Sequence, residues 1–448
     1  MDGFKCWRSI FVFFLCSFFS ACSHVHKIPN YETLKEELPN GLTVLYVEDQ
    51  SAPVVSFLSM FKVGSAWEKP GATGIAHLFE HLMFKNGFIK KLEKKGAVVN
   101  AYTQRDATVY YEMIDSSELE TVIKMEADRL QNLVITQKDL EAEKKVVLEE
   151  RSLRIESDFF AQQMEVMEEL AFPKHPYGTP VVGYPADIQR LTLEECQEFF
   201  DFYYQPKNLL LIVSGDFDRE NTRALIQKYY GPIYGKKVPD LKIPNVGQKK
   251  PLVQDEEIRK KIERPVETET ILVGYRAPSM YSKDVNKLSM LSWALFGMSS
   301  SPGYRRLVRE KQVALSVHAE MPKERVPYLF LISITMKKGV PASVALEELE
   351  KIFEEVKQGN LDARLLERVK KKLVFSTVNE TKSVHTLASY LARGEFYFDD
   401  FSNYFETIKD YEQTTIEDLV RVAGLYFKPS QRIIVEMTPE QRAYAKGR

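Results

Sequence analysis

The residues of this chain best suited to chemistry stand together at His77-Leu-Phe-Glu-His81. On a helix, positions 77, 80 and 81 share one face, because 3.6 residues per turn brings i, i+3 and i+4 together. Two imidazoles one turn apart are a ready pair of ligands for a tetrahedral divalent cation, zinc above all. A carboxylate beside them can act as general base towards water whose acidity the cation raises, which makes Glu80 the candidate base. A solvated polar face is the plain alternative, and the flanks weigh against it. Ile75, Ala76, Leu78, Phe79, Leu82, Met83 and Phe84 embed the three titratable groups in apolar sequence. Titratable groups in such a helix need a partner to offset their desolvation, and a metal is one.

A catalytic tetrahedral site takes a third protein ligand and keeps its fourth position open. The charged run Glu141-Ala-Glu-Lys-Lys-Val-Val-Leu-Glu-Glu150-Arg151 reads as a helix with Glu143, Val147 and Glu150 on one face. Spacing alone does not separate Glu150 from an ordinary solvent-facing glutamate.

Three segments then carry a resemblance: Gly74-Ile-Ala-His-Leu-Phe-Glu-His-Leu-Met-Phe-Lys85, Asn100-Ala-Tyr-Thr-Gln-Arg-Asp-Ala-Thr-Val-Tyr-Tyr111 and Glu143-Lys-Lys-Val-Val-Leu-Glu-Glu150. They resemble the pitrilysin/insulinase family of zinc peptidases, and most nearly its short members of the mitochondrial and bacterial processing-peptidase type. The order His-x-x-Glu-His is the inverzincin one. The resemblance implies one Zn2+ per chain, held by His77, His81 and Glu150, with Glu80 as the base and Glu143 supporting the site. It implies a peptide substrate bound as an added strand on a sheet edge, here the segment running from Asn100 and Ala101 to Thr103. It also implies an Arg and a Tyr in the second half that bind substrate near the scissile bond. Arg309 fits the first, and Leu315 stands where the Tyr is expected. Between Lys85 and Asn100 the chain is several residues shorter than the family pattern, which removes loop near the cleft. The missing Tyr fits the zinc-bearing half of a pair, with a homologous partner chain supplying Arg and Tyr; a homodimer is the alternative.

The elements that must position these residues follow from pattern. A chain of 448 residues, 44% hydrophobic and 28% charged, suits two or more globular domains, and a net charge of −2 gives no reason to expect nucleic acid. Alternation predicts strands at 43–48, 54–63, 98–103 and 107–113, with a buried strand at 209–213. Helices are expected over the metal motif, over 89–95, over 116–134, over one long stretch from 137 to 170, and over 221–230. The sequence also repeats. Thr192-Leu-Glu-Glu, Tyr203-Tyr-Gln-Pro206 and the apolar run to Ile212 recur without a gap as Thr415-Ile-Glu-Asp, Tyr426-Phe-Lys-Pro429 and the run to Val435. The expected fold class is therefore α+β: two duplicated α+β domains of metallopeptidase type, each an antiparallel-type sheet packed by helices. The expected boundaries are a signal at 1–22, a zinc-binding domain at 28–235, a Pro- and Lys-rich linker at 236–257 and an inactive repeat at 258–448. The repeat does not copy the chemistry, since Lys287 to Ser301 holds neither His nor Glu.

The amino terminus reads as a targeting segment. Lys5 and Arg8 precede an apolar stretch from Ile10 to Phe19, which is too short to span a bilayer permanently. Phe19-Ser-Ala-Cys22 resembles a bacterial lipoprotein cleavage box, which makes Cys22 the candidate lipidation site; an ordinary secretory signal is the alternative. The expected location is the bacterial cell envelope: periplasmic, with a lipid anchor to the outer membrane. The mature chain would then hold only Cys22 and Cys196, no disulfide framework. Taken together, the sequence predicts a zinc metalloendopeptidase acting on extended or unfolded peptides. Two rivals share the fold: a non-catalytic envelope assembly subunit, whose kind usually loses the motif that this chain keeps, and a zinc-binding lipoprotein without turnover.

Overall fold

The segments Thr43–Glu48, Val54–Phe61 and Leu209–Gly215 are largely apolar at consecutive positions, and that pattern needs a cover on both faces of a sheet. The structure, a computed structural model, describes residues 31–235 and 245–440. The first half begins with β1 (Thr33–Glu37), β2 (Thr43–Glu48) and β3 (Val54–Phe61), then α1 (Ile75–Met83) and α2 (Phe88–Glu93). It continues with β4 (Val98–Thr103), β5 (Thr108–Asp115), α3 (Leu119–Asn132), α4 (Gln137–Arg151) and α5 (Phe159–Ala171). It closes with α6 (Pro185–Arg190), α7 (Leu193–Tyr203), β6 (Leu209–Gly215) and α8 (Arg219–Tyr230). The second half has β7 (Ile258–Arg264), β8 (Thr270–Arg276), α9 (Val285–Phe296), the single turn α10 (Pro302–Tyr304), β9 (Ala314–Glu320) and β10 (Leu329–Met336). Helices α11 (Ala342–Lys357), α12 (Ala363–Glu380), α13 (Val384–Phe398), α14 (Asn403–Gln413) and α15 (Ile416–Tyr426) lead to β11 (Arg432–Pro439).

Two sheets result, ordered β1-β2-β6-β3-β5-β4 and β7-β11-β8-β10-β9. Each is mixed rather than wholly antiparallel, because β6 runs parallel to β2 and β11 parallel to β7. The reason is the connection: several helices separate β5 from β6 and β10 from β11, long enough for a crossover that returns the last strand to the middle of its sheet. The repeat seen in the sequence is a structural one. Thr192 and Thr415 each cap a helix with a reciprocal bond to the acid three residues on, Glu195 and Asp418. Tyr204 and Phe427, at the ends of those helices, have nearly the same backbone angles, φ −90° ψ 74° and φ −88° ψ 71°.

The two faces of the first sheet are covered by different halves of the chain. Phe57, Leu211 and Val213 point to one face, where α1, α3 and α7 supply Phe79, Ile123 and Cys196. Leu58, Met60, Leu210 and Ile212 point to the other, and there they meet Leu387, Ala388, Leu391 and Ala392 of α13. The second sheet repeats this with the partners exchanged: Leu272, Leu331, Ile433 and Val435 receive Met167 and Ala171 of α5. Each half thus buries the other's helix.

Two expectations need correction. The stretch from 137 to 170 is not one helix. A π-helical turn at Ser152–Glu156 ends α4, and Asp158 starts α5 by accepting from the N–H groups of Phe160 and Ala161. The first sheet also has an edge strand, β1, that the pattern did not reveal, because Thr33–Glu37 is mostly polar. Cys22 and the rest of the targeting segment, and residues 236–244 of the expected linker, lie outside the described residues. Among the described residues no helix is long and apolar enough to cross a membrane.

The exchange makes a prediction. Met167 is fully buried on α5 against the second sheet, so Met167→Ala should cost about 2–5 kcal/mol. Urea unfolding followed by probes in both halves should shift as one transition. Two separated transitions, with only one moved, would show that the halves fold independently.

Candidate metal centre

Helix α1 is held at its start by groups from elsewhere. Gly74, the residue before it, has φ 86° and no side chain to cap the first turn. The carboxylate of Glu68 does so, accepting from Gly74 N–H and Ala76 N–H, each at 2.9 Å. Thr73 is fixed by Asp187, whose Oδ2 accepts its hydroxyl at 2.7 Å. A Cβ on Gly183 would stand 2.4 Å from the Cα of Gly74, so this contact requires glycine on the side of the loop that leads into α6. The apolar face of α1 then packs into the first core through Leu78, Phe79 and Leu82. What is left faces α4 and β4: His77, Glu80 and His81.

Helix α4 brings two carboxylates to that face, two turns apart. Glu150 Oε2 lies 3.2 Å from His81 Nε2 and 3.6 Å from His77 Nε2. In a tetrahedral zinc site with bonds of about 2.0–2.1 Å, ligand atoms sit about 3.3 Å apart, so these separations suit a shared cation. His77, His81 and Glu150 form the one such group of three among the described residues. The other carboxylate, Glu143, meets the far side of the ring, its Oε2 3.3 Å from His81 Nδ1. With Nδ1–H donating to Glu143, the lone pair of Nε2 faces Glu150. Lys85 bonds the remaining oxygen of Glu143, and Arg154 binds the outer oxygen of Glu150 at 2.8 Å.

The electrostatics suit a cation. Burial, with the adjacent His81, pulls the His77 ring down to about 4, so it is neutral at pH 7 and free to ligate. Its Nδ1 is buried without a hydrogen-bond partner among the described residues. Burial opposes charge on His81 too, but the bond to Glu143 and the charge of Glu150 outweigh it and raise its pKa. The bond from His81, and then Lys85, hold Glu143 below the usual carboxylate range. With Lys85 and Arg154 on the outer carboxylate oxygens, the two imidazoles and the inner oxygen of Glu150 face one another, and the donor set is that of zinc.

Glu80 lies beside this group without belonging to it. Its carboxylate accepts the hydroxyl of Thr103, and burial pushes its pKa up against that bond. A raised carboxyl is better matched to taking and returning a proton near neutral pH. Glu80 shares a cavity of about 780 Å³ with the three ligand candidates, with Asn100 and Ala101, and with the apolar side chains of Ile155, Phe160 and Met164. Asn100 and Ala101 sit on β4, the edge of the sheet, so one side of that strand is unpaired. Arg309 is not brought to this cavity. It is exposed, with its guanidinium 5.8 Å from the ring centre of Tyr304, and Leu315 is 55% exposed on β9.

Several contributors had no single-residue signal in the sequence. Lys85 and Arg154 follow His81 and Glu150 by four residues, a spacing that could have marked them. Glu68 is a loop residue with no motif around it. Arg105 forms the far wall and reaches across to the second half: it bonds Glu324 at 3.2 Å and Tyr328 at 3.3 Å, and it pairs with Glu168.

Comparison with known proteins agrees with this geometry. The family description "Insulinase (Peptidase family M16)" matches residues 43–182, and "Peptidase M16 inactive domain" matches residues 190–373. The chain is 28% identical over 425 residues to the zinc protease PqqE of Helicobacter pylori, covering 92% of this chain and 94% of that one. A solved protease from Helicobacter pylori superposes with a TM-score of 0.84 at 27% identity, covering 92% of this chain and all (100%) of the other. A probable mitochondrial-processing peptidase subunit beta of Schizosaccharomyces pombe is 31% identical over 213 residues, 46% of each chain. Two descriptions of one family, matched in order along the chain, and relatives named as zinc proteases lead to one conclusion: this chain belongs to the insulinase family of zinc proteases.

Proposed function

We propose that this chain is a zinc metalloendopeptidase that cuts extended or unfolded peptides. The observation that carries the reading is the setting of Glu80, in one cavity with His77, His81, Glu150 and the free edge of β4. His77, His81 and Glu150 would hold zinc, which when bound would supply Lewis acidity towards the scissile carbonyl and the attacking water. Glu80 takes the proton of the attacking water and delivers it to the leaving amine. The hydroxyl of Thr103 holds the Glu80 carboxylate in place, and Glu143 keeps the His81 ring turned so that Nε2 faces the site. The substrate backbone pairs with β4 from Asn100 to Thr103 as an added strand. A folded chain has no free strand to offer, so the substrates are extended.

The test separates base from ligand. Glu80→Gln should keep its zinc by elemental analysis and lose about 10²–10⁴-fold in cleavage of an unfolded peptide. Glu150→Gln should lose the zinc as well. Undiminished cleavage by the Glu80 variant would remove Glu80 from the mechanism.

The same reading extends to location and partner. The protein works in the cell envelope, anchored through an acylated Cys22, and mass spectrometry of the mature amino terminus should find a lipidated cysteine there. An unmodified terminus downstream of Cys22 would rule the anchor out. A second, similar chain supplies the Arg and Tyr contacts, a reading supported by the exposure of Arg309 and Leu315 outside the cavity. The isolated chain should therefore cleave weakly, and Leu315→Tyr should raise its rate if two copies can pair. Strong cleavage by the isolated chain, unchanged in the variant, would show that no such donor is needed.

A further inference from the structure

The second half has a cavity of its own, about 910 Å³, walled by α9, α12, α13 and α14. By element order it answers to the metal cavity: α9 follows β8 as α1 follows β3, and α12 and α13 stand where α4 and α5 stand in the first half. Its chemistry is different. The rings of Tyr390 and Tyr404 stack 3.7 Å apart at its wall, and Trp293, Tyr397 and Tyr411 also face it.

The carboxylates of this cavity all have donors. Glu380 accepts from Ser376 at 2.8 Å and from Tyr390. Asp410 accepts from Asn286 at 2.8 Å and pairs with Lys287, and Glu406 pairs with Lys409 at 2.6 Å. Two half-buried cations are not matched in this way. Lys323 Nζ donates to the neutral amide oxygen of Asn286 at 2.6 Å. The Arg393 guanidinium lies 5.4 Å from the ring centre of Tyr397. Among the described residues neither is in an ion pair. Burial, with the charge of Arg393 beside it, pulls the Lys323 ammonium down to about 8. Two cations partly out of water in one cavity, neither in an ion pair with its carboxylates, leave a place for a negative group from a ligand.

We propose that this cavity binds a carboxylate carried on an apolar or aromatic body, with Lys323 and Arg393 taking the carboxylate and the tyrosine and tryptophan rings taking the body. The planar fork of Arg393 suits two oxygens in one plane, and Lys323 adds a point charge from a second side. The ring faces receive an organic group better than they would a hydrated inorganic anion. Such a carboxylate comes either from the free end of a peptide or from a small organic acid. Binding here needs neither zinc nor Glu80, so the inference stands or falls apart from the peptidase reading.

The experiment uses the full chain and the fluorescence of Trp293. It is titrated with 3-phenylpropanoate and its amide, and with an acetylated tripeptide ending in phenylalanine as free acid and as amide. Each free acid should bind at least about ten-fold more tightly than its amide, the difference a charged hydrogen-bonded group makes. Lys323→Met and Arg393→Met, at unchanged melting temperature, should each erase that preference. If the peptide acid binds more tightly than phenylpropanoate, the ligand is a peptide end; the reverse order identifies a small acid. Equal affinity for acid and amide in the unaltered chain would overturn the proposal without any variant being needed. So would a preference that survives in both folded variants, or an affinity for inorganic phosphate equal to that for the acids.

Discussion

The His81 ring stands between two carboxylates, Glu150 at Nε2 and Glu143 at Nδ1, and the first half is arranged to keep it there. Both acids come from one face of α4, so the orientation of one helix places the candidate ligand Glu150 together with Glu143, the acceptor at Nδ1. The opposing helix, α1, has no cap of its own and is anchored by Glu68, by the Thr73–Asp187 bond and by the close approach of Gly74 and Gly183. These contacts set the height of α1 against α4. Lys85 and Arg154 take the outer oxygens of the two carboxylates, which leaves the inner oxygen of Glu150 facing the two imidazoles as a donor set that fits a divalent cation.

The metal cavity is not the property of one half. Its far wall is Arg105 with Glu168, and Arg105 continues to Glu324 and Tyr328 of the second half. Next to it Asp106 takes Tyr177 and, at 3.3 Å, Arg325. A buried charge network of this kind adds little net stability, yet removing one member leaves others unpaired at about 3–5 kcal/mol. Together with the exchange of α5 and α13, it makes the second half a structural requirement of a site to which it gives no ligand.

Duplication also explains how one scaffold holds two kinds of cavity. The helices α9 and α12 meet as α1 and α4 do, and α13 and α5 each lie on the opposite half's sheet. The residues that face the cavities differ. The first cavity has two imidazoles among its carboxylates and arginines; the second has no imidazole and adds tyrosines, Lys323 and Arg393 to its own carboxylates.

The sequence by itself determined whatever depends on local spacing. The i, i+3, i+4 placement of His77, Glu80 and His81 follows from helical geometry alone, the strands at 43–48 and 98–103 follow from their short apolar, β-branched runs, and the gapless repeat announced two related units. Glu150 was legible only through resemblance, since nothing local distinguishes it from the other acids of α4. The tertiary structure decided the rest. The parallel pairing of β6 with β2, the exchange of α5 and α13, the capping of α1 by Glu68 and the reach of Arg105 to Glu324 all join residues far apart in the chain. Such contacts depend on which elements meet after the chain has crossed over, and no period in the sequence encodes that. The break after Arg151 was not read from the sequence either. A helical pattern continues from 137 to 170, yet a π-helical turn at Ser152–Glu156 and the Asp158 cap divide it, and α5 goes on to pack against the other sheet.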